Sequence, residues 1–305
     1  MIQLILFILT FGTTTIAGAA WGTGITDPKS LASYIVGLPY SLSIMFVLGC
    51  HEFGHYFAAK YHKVDATLPY FIPFPSLFGT MGAVIRTRSP IFNNKALFDI
   101  GICGPICGFI ASVALLIHGF THLPGVEYLL SIHPDYYSHG YASGIPMLKF
   151  GDTILLRLLR TACTNSDQFI PPLTEIYHYP YLCVGWFGLF ITAMNMIPAG
   201  QLDGGHITYS MFGPNNHLKI GRISILILVV LGGMGIVSVS FGGTLEFGWV
   251  GWLVWAGILY FVIKLRHPSV GTFYQLGFWR RILGYGSFVI LLITFSPTPI
   301  IFSFL

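Results

Sequence analysis

The chain has 305 residues, of which 54% are apolar and only 9% are Asp, Glu, Lys or Arg; a soluble globular domain carries roughly a quarter charged residues. That balance excludes a wholly water-soluble domain and makes lipid the expected solvent for most of the chain. The net charge of +4 shows no basic cluster of the kind that binds nucleic acid, and the five cysteines, an odd number set mostly in apolar runs, do not resemble a disulfide framework.

In chain order, about seven stretches approach the length needed to cross a ~30 Å hydrocarbon core: residues 2–20, 32–50 running on into HEFGH, 96–118, 181–198, 222–241, 247–264 and 282–303. The first lacks a positively charged start, its first basic residue being Lys29, so it reads as a retained span rather than a signal peptide. The stretch Leu68–Arg86 is apolar but broken by Pro69, Pro73, Pro75, Gly79 and Gly82, too interrupted for a spanning helix. With basic residues at both ends it reads as a re-entrant hairpin, which lipid tolerates only where protein or a watery cavity satisfies the backbone. Such a hairpin is expected to line a site. The segment 119–180 reads as a surface loop with one short helix, in which 145–159 interleaves apolar residues with Lys149 and Arg157. The fold expected is an all-α polytopic membrane protein with about seven transmembrane helices and a re-entrant hairpin. One membrane-embedded domain covers 1–305, with a catalytic core at about 32–210 and accessory helices in 1–31 and 219–305.

Sorting the basic residues by the loops these spans imply gives Lys60, Lys63, Arg86, Arg88, Lys95, Lys219, Arg222, Lys264, Arg266, Arg280 and Arg281 on one side. Lys29, Lys149, Arg157 and Arg160 fall on the other. The excess marks the first side as cytoplasmic or its organellar equivalent, and HEFGH lies toward it.

His51, Glu52, Phe53, Gly54 and His55 spell HEFGH at the end of an apolar helix. Positions i and i+4 share a helix face, so both imidazoles reach one ion while Glu52 contacts a water beside it. Zinc in catalytic sites normally takes three protein ligands and leaves a fourth position open. Asp203 is the best candidate for the third. It is the only acidic residue between Glu175 and Glu246 and follows Asn195-Met-Ile-Pro198-Ala-Gly200-Gln-Leu202, where Pro198, Gly200, Gly204 and Gly205 loosen or end the preceding helix. A polar recess at the DGG turn would let water in, and the hairpin edge, Gly79, Gly82, Ala83, Val84 and Ile85, is the expected substrate-binding edge, open to strand pairing. Cys103 and Cys107 alternate with Gly101, Gly104 and Gly108 and read as close helix packing rather than a second metal site. His206 is either an interfacial histidine or a tuner of the site, and His267-Pro268 carries no assigned role.

HEFGH on one span and N-x-x-P-x-x-x-L-D-G on a later one resemble the site-2 protease family of zinc intramembrane metalloproteases. Gly104-Pro105-x-x-Gly108 and YFIPFP…FGTMGAVIR are similar to the family's middle section, so the resemblance covers about 45–210. It implies that His51, His55 and Asp203 hold one Zn²⁺ per chain, that Glu52 is the general base, and that Asn195 contacts the substrate or developing oxyanion. It also implies a transmembrane substrate protein cleaved near the cytoplasmic face, in a bacterial inner membrane or an organellar membrane such as that of a plastid. Many relatives carry an inserted PDZ domain, for which 119–180 is too short, and no regulatory domain is expected after the last span. Two other readings stay open: a proton-coupled transporter or channel using the same His/Glu/Asp cluster as a relay, and a silent relative that binds membrane helices without cleaving them. The first lacks the internal repeat of such transporters, and the second sits poorly with a complete set of four residues.

Overall fold

Apolar backbone in lipid must satisfy its own N–H and C=O groups, so the uncharged runs fold as helices and pack on one another. The computed structural model describes residues 1–23, 31–138, 146–241 and 247–304; Lys29 and Glu246 lie outside the described residues. The elements in order are α1 (Ile2–Thr23), α2 (Leu31–Tyr61), β1 (Tyr70–Pro73), β2 (Thr80–Val84), α3 (Asn94–Thr121), α4 (Val126–Ile132), β3 (Pro146–Phe150) and α5 (Ile154–Cys163). A single 3₁₀ turn (Ile176–His178) follows, then α6 (Pro180–Met196), α7 (Asp203–Ser240), α8 (Gly251–Gly257) running into a π turn (Ile258–Ile263), α9 (Phe278–Thr294) and β4 (Ile300–Phe304).

Among the described residues, four helices are long and apolar enough to cross a membrane: α1, α2, α3 and α7. The apolar stretches 181–198, 247–264 and 282–303 form shorter helices. The second of these changes to π geometry and stops at Lys264, whose φ is 63°. The third ends at Thr294, and the chain beyond it turns into β4, which pairs antiparallel with β3. A purely α-helical reading misses this two-stranded sheet. Within the loop expected at 119–180, residues 146–150 form strand β3, and a helix begins at Ile154, capped by Thr153 Oγ1 accepting from Leu156 N. α7 starts earlier than 222 because two helices join end to end at Gly213-Pro214, where Gly213 has a φ of 78°.

α1 and α2 lie against each other through small residues, with Thr14 Oγ1 2.6 Å from Ser41 Oγ in the buried seam. The main core joins α1, α2, α3 and α6 around Tyr40, Ile44, Leu116, Leu182 and Phe187, and Trp186 stacks on Phe150 of β3 at 4.5 Å. A second core beneath α7 gathers Leu228, Leu231, Trp252 and Leu259. The outer faces of α1 and of the second half of α7 leave Leu4, Ile5, Ile8, Ile223, Leu226 and Ile227 exposed. Apolar surface of that extent and continuity belongs against lipid, and the chain is a multi-pass membrane protein.

β1 and β2 form an antiparallel hairpin, with Tyr70 opposite Val84 and Phe71 opposite Ala83. Its base joins the end of α2, where Thr67 N donates to Arg86 O and Arg88 N donates to Asp65 O. Its turn runs far along α1: Thr13 Oγ1 donates to Gly79 O (2.6 Å) and Trp21 Nε1 donates to Leu77 O (2.7 Å). At the base end of the bundle Arg280 donates two hydrogen bonds to Asp99, at 2.8 and 2.7 Å, and His62 Nε2 is 2.7 Å from the same carboxylate.

Candidate metal centre

Three helices converge near the base of the hairpin. α2 carries His51, Glu52 and His55 one turn apart, so both imidazoles leave the same face. All three are buried, between 6% and 8% exposed. Asp203 opens α7, whereas Asn195 lies near the end of α6. The N-x-x-P-x-x-x-L-D-G sequence therefore spans two helices and the tight turn between them, and Asp203 stands in the first turn of the following helix rather than at the loosened end of the preceding one. Gly204 and Gly205 let that first turn sit against the carbonyls of Met196 and Gly200, which points the aspartate back at α2.

His51 Nε2 and His55 Nε2 are 3.0 Å apart. Asp203 places Oδ2 at 3.4 Å from the first and Oδ1 at 3.5 Å from the second. His55 Nδ1 donates to Ile100 O at 2.7 Å, which leaves the Nε2 of a neutral ring as a lone pair. Asn195 Nδ2 is 3.4 Å from His51 Nε2. Four ligands held tetrahedrally at ~2.1 Å are separated from one another by ~3.4 Å, so the spacing and chemistry of this donor set fit a zinc ion. Glu52 adjoins the same imidazoles, and its carboxylate faces the backbone of Ile85.

The centre opens into a cavity of about 630 Å³, lined by His51, Glu52, His55, Asn195 and Asp203 on one side and by the Ala83–Ile85 strand edge on another. Ala83, Val84 and Ile85 are thus brought to the site. Gly79 is not: it occupies the hairpin turn with a φ of 74° and packs on Thr13 and Thr14 of α1. Gly82, with a φ of 99° and open space beside it, bends β2 next to the cavity without lining it.

Several contributors escape a reading of the sequence. A Cβ on Gly104 would overlap the His55 ring, and one on Gly108 would lie 3.1 Å from His51 Nδ1. The small-residue face of α3 thus serves the two imidazoles as well as helix packing; its spacing of three and four residues was the visible signal. Asn94, fully buried, donates to Ser210 O (3.1 Å) and Tyr274 O (2.8 Å) and accepts from Tyr274 N (2.8 Å), tying α3 to α7. His267 Nδ1 donates to Pro268 O at 2.6 Å, so its Nε2 accepts from His206 Nδ1 at 2.7 Å. Both histidines line the cavity, and burial holds the His267 imidazole below its ordinary value.

These features define a multi-pass membrane protein built around a buried His–His–Asp donor set with an adjoining glutamate. Residues 39–233 match peptidase family M50, and the chain belongs to that family, the site-2 proteases. It is similar to a probable zinc metalloprotease, EGY1, chloroplastic, of Arabidopsis thaliana (28% identical over 97% of this chain and 53% of the relative) and to its namesake from Oryza sativa subsp. japonica (30% over 85% and 40%). A third relative, probable zinc metalloprotease EGY2, chloroplastic, of Arabidopsis thaliana, is 28% identical over 63% of this chain and 32% of its own. The chain therefore spans about half, or less, of the length of these relatives. No solved structure matches it.

Proposed function

We propose that the chain is an intramembrane zinc metalloprotease that hydrolyses a peptide bond in or near a transmembrane helix of a substrate protein. The observation that carries this reading is the convergence of His51 and His55 of α2 with Asp203 of α7, more than a hundred residues away, on one point beside Glu52 and a cavity. Family membership and the relatives' names support it.

His51, His55 and Asp203 would hold one zinc, which would supply Lewis acidity toward the scissile carbonyl and the attacking water. Glu52 takes the proton of that water and returns it to the departing amine nitrogen. Asn195, with its amide beside the donor set, donates to the oxygen that gains charge. A helix hides its carbonyls in its own hydrogen bonds, so the substrate opens locally and pairs as a strand with the Ala83–Ile85 edge.

The hairpin is re-entrant in this reading, its base near Lys63 and Arg86 and its turn beside Trp21 of α1. The shorter apolar helices α6, α8 with its π turn, and α9 complete about seven membrane-embedded segments in one domain. Lys60, Lys63, Arg86, Arg88, Lys95 and Arg280 belong to the end of the bundle that holds the metal centre, which supports a reading with cleavage near the cytoplasmic face or its organellar equivalent, in a bacterial inner membrane or an organellar membrane such as that of a plastid.

The test is purified protein and its Glu52→Gln variant, compared for zinc content and for cleavage of a helical membrane substrate. Both are expected to hold zinc at the HEFGH centre, and the variant to lose at least ~100-fold in turnover. Full activity in the variant, or wild-type zinc content in His55→Ala, refutes the assignment; proton flux in place of cleavage supports a relay instead.

A further inference from the structure

At the opposite end of the bundle, three side chains outside the HEFGH centre repeat its arrangement. Glu175 precedes the 3₁₀ turn, His178 ends it, and His133 caps α4. His133 Nε2 is 2.9 Å from His178 Nε2, against 3.0 Å between His51 and His55. A single oxygen, Glu175 Oε2, lies 3.8 Å from the first and 3.6 Å from the second, against 3.4 and 3.5 Å from the two oxygens of Asp203.

The likeness extends to the way the rings are held. His178 Nδ1 donates to Trp21 O at 2.9 Å and to Gly22 O at 3.2 Å, as His55 Nδ1 donates to Ile100 O. A backbone carbonyl on one ring nitrogen fixes the tautomer and leaves the other nitrogen as a ligand. His178 is 2% exposed and Glu175 is 0% exposed, so two of the three donors are buried. Tyr128 Oη donates to His178 O at 2.8 Å, bracing the backbone behind the imidazole.

We propose that His133, Glu175 and His178 form a second divalent-metal site, of the zinc class, that clips the end of α4 to the 3₁₀ turn, which itself hangs on the end of α1 through His178 Nδ1. The three ligand atoms are mutually 2.9–3.8 Å apart, around the ~3.4 Å edge of a tetrahedral zinc set. His133 is the exposed corner, its side chain 29% accessible, so the fourth position opens outward to water. The site lies roughly 25 Å along α6 from Asn195, too far for its ion to touch the reacting bond. Its role is structural: the described elements between 122 and 179 are short, and a metal clip joins the end of α4 to the 3₁₀ turn, which are distant in sequence. The Glu175-x-x-His178 spacing is the trace of it in the sequence.

The experiment uses the full chain in detergent, free of affinity tag, stripped with chelator and titrated with Zn²⁺ alone. Metal content is counted by mass spectrometry and melting is followed with and without Zn²⁺. Wild type is expected to take up two equivalents, His133→Ala one and His51→Ala/His55→Ala one. Zinc affinity at the second site should fall at least ~100-fold in His133→Ala, and the rise in melting temperature on adding Zn²⁺ should shrink, with the metal-free melting temperature unchanged. His133→Gln guards against a packing effect and is expected to behave alike. One equivalent in wild type that disappears in His51→Ala/His55→Ala overturns the second site and leaves the protease reading standing. One equivalent that survives there but disappears in His133→Ala supports the second site and removes the first.

Discussion

Gly104→Ala probes the centre through a residue that ligates nothing. The added methyl overlaps the His55 ring, which cannot stay where it is. It is 8% exposed and tied through Nδ1 to Ile100 O. Nor can the helices part at low cost, because α2 and α3 already touch where a Cβ on Gly54 would fall 2.6 Å from Cys103 O. Relief requires turning His55 away and breaking its hydrogen bond, and overpacking of this kind costs about 1–3 kcal/mol. At ~1.4 kcal/mol per tenfold, zinc affinity at this centre should fall about 10- to 100-fold while the bundle still assembles. Competition with a chelator of known affinity, followed by metal analysis, reads the effect. Gly49→Ala, on the same α2 with open space around it, is the control and should be neutral or stabilising by a few tenths to about 1 kcal/mol. If Gly104→Ala bound zinc as tightly as wild type with an unchanged melting temperature, the claim that α3 confines the imidazoles would be wrong.

Asn94→Ala removes a fully buried side chain that answers three backbone groups, and should cost about 2–4 kcal/mol, seen as a large fall in melting temperature together with weaker zinc binding as α7 loosens from α3. Asn195→Ala should keep zinc and lower turnover about 100-fold with a smaller change in KM; an unchanged turnover removes Asn195 from the reaction. Proline placed singly at 82, 83, 84 and 85 should depress turnover and spare zinc content, and normal turnover in all four variants discards strand pairing of the substrate.

What the sequence revealed followed from local rules. The i, i+4 spacing of His51 and His55 holds on any helix, so their shared face was legible before any fold was known. Apolar length gave the long helices, and the prolines and glycines of 68–86 gave the hairpin, because helix propagation fails there wherever the segment sits. By the same local logic, uncharged stretches of equal length look alike, so α9 and the strand that follows it read as one span when only pairing with β3 makes 300–304 a strand.

The donor set itself belongs to the tertiary structure. Asp203 was singled out as the one acid available in its region, yet its approach to His51 and His55 depends on the close turn before α7 and on Asn94 fastening that helix to α3. β3 and α5 separate His133 from the Glu175-x-x-His178 pair, and no periodicity joins it to them. Sequence spacing fixes neighbours along one helix because the backbone repeat is rigid; neighbours from different helices are fixed only by packing, where a missing Cβ on Gly104 decides whether an imidazole fits.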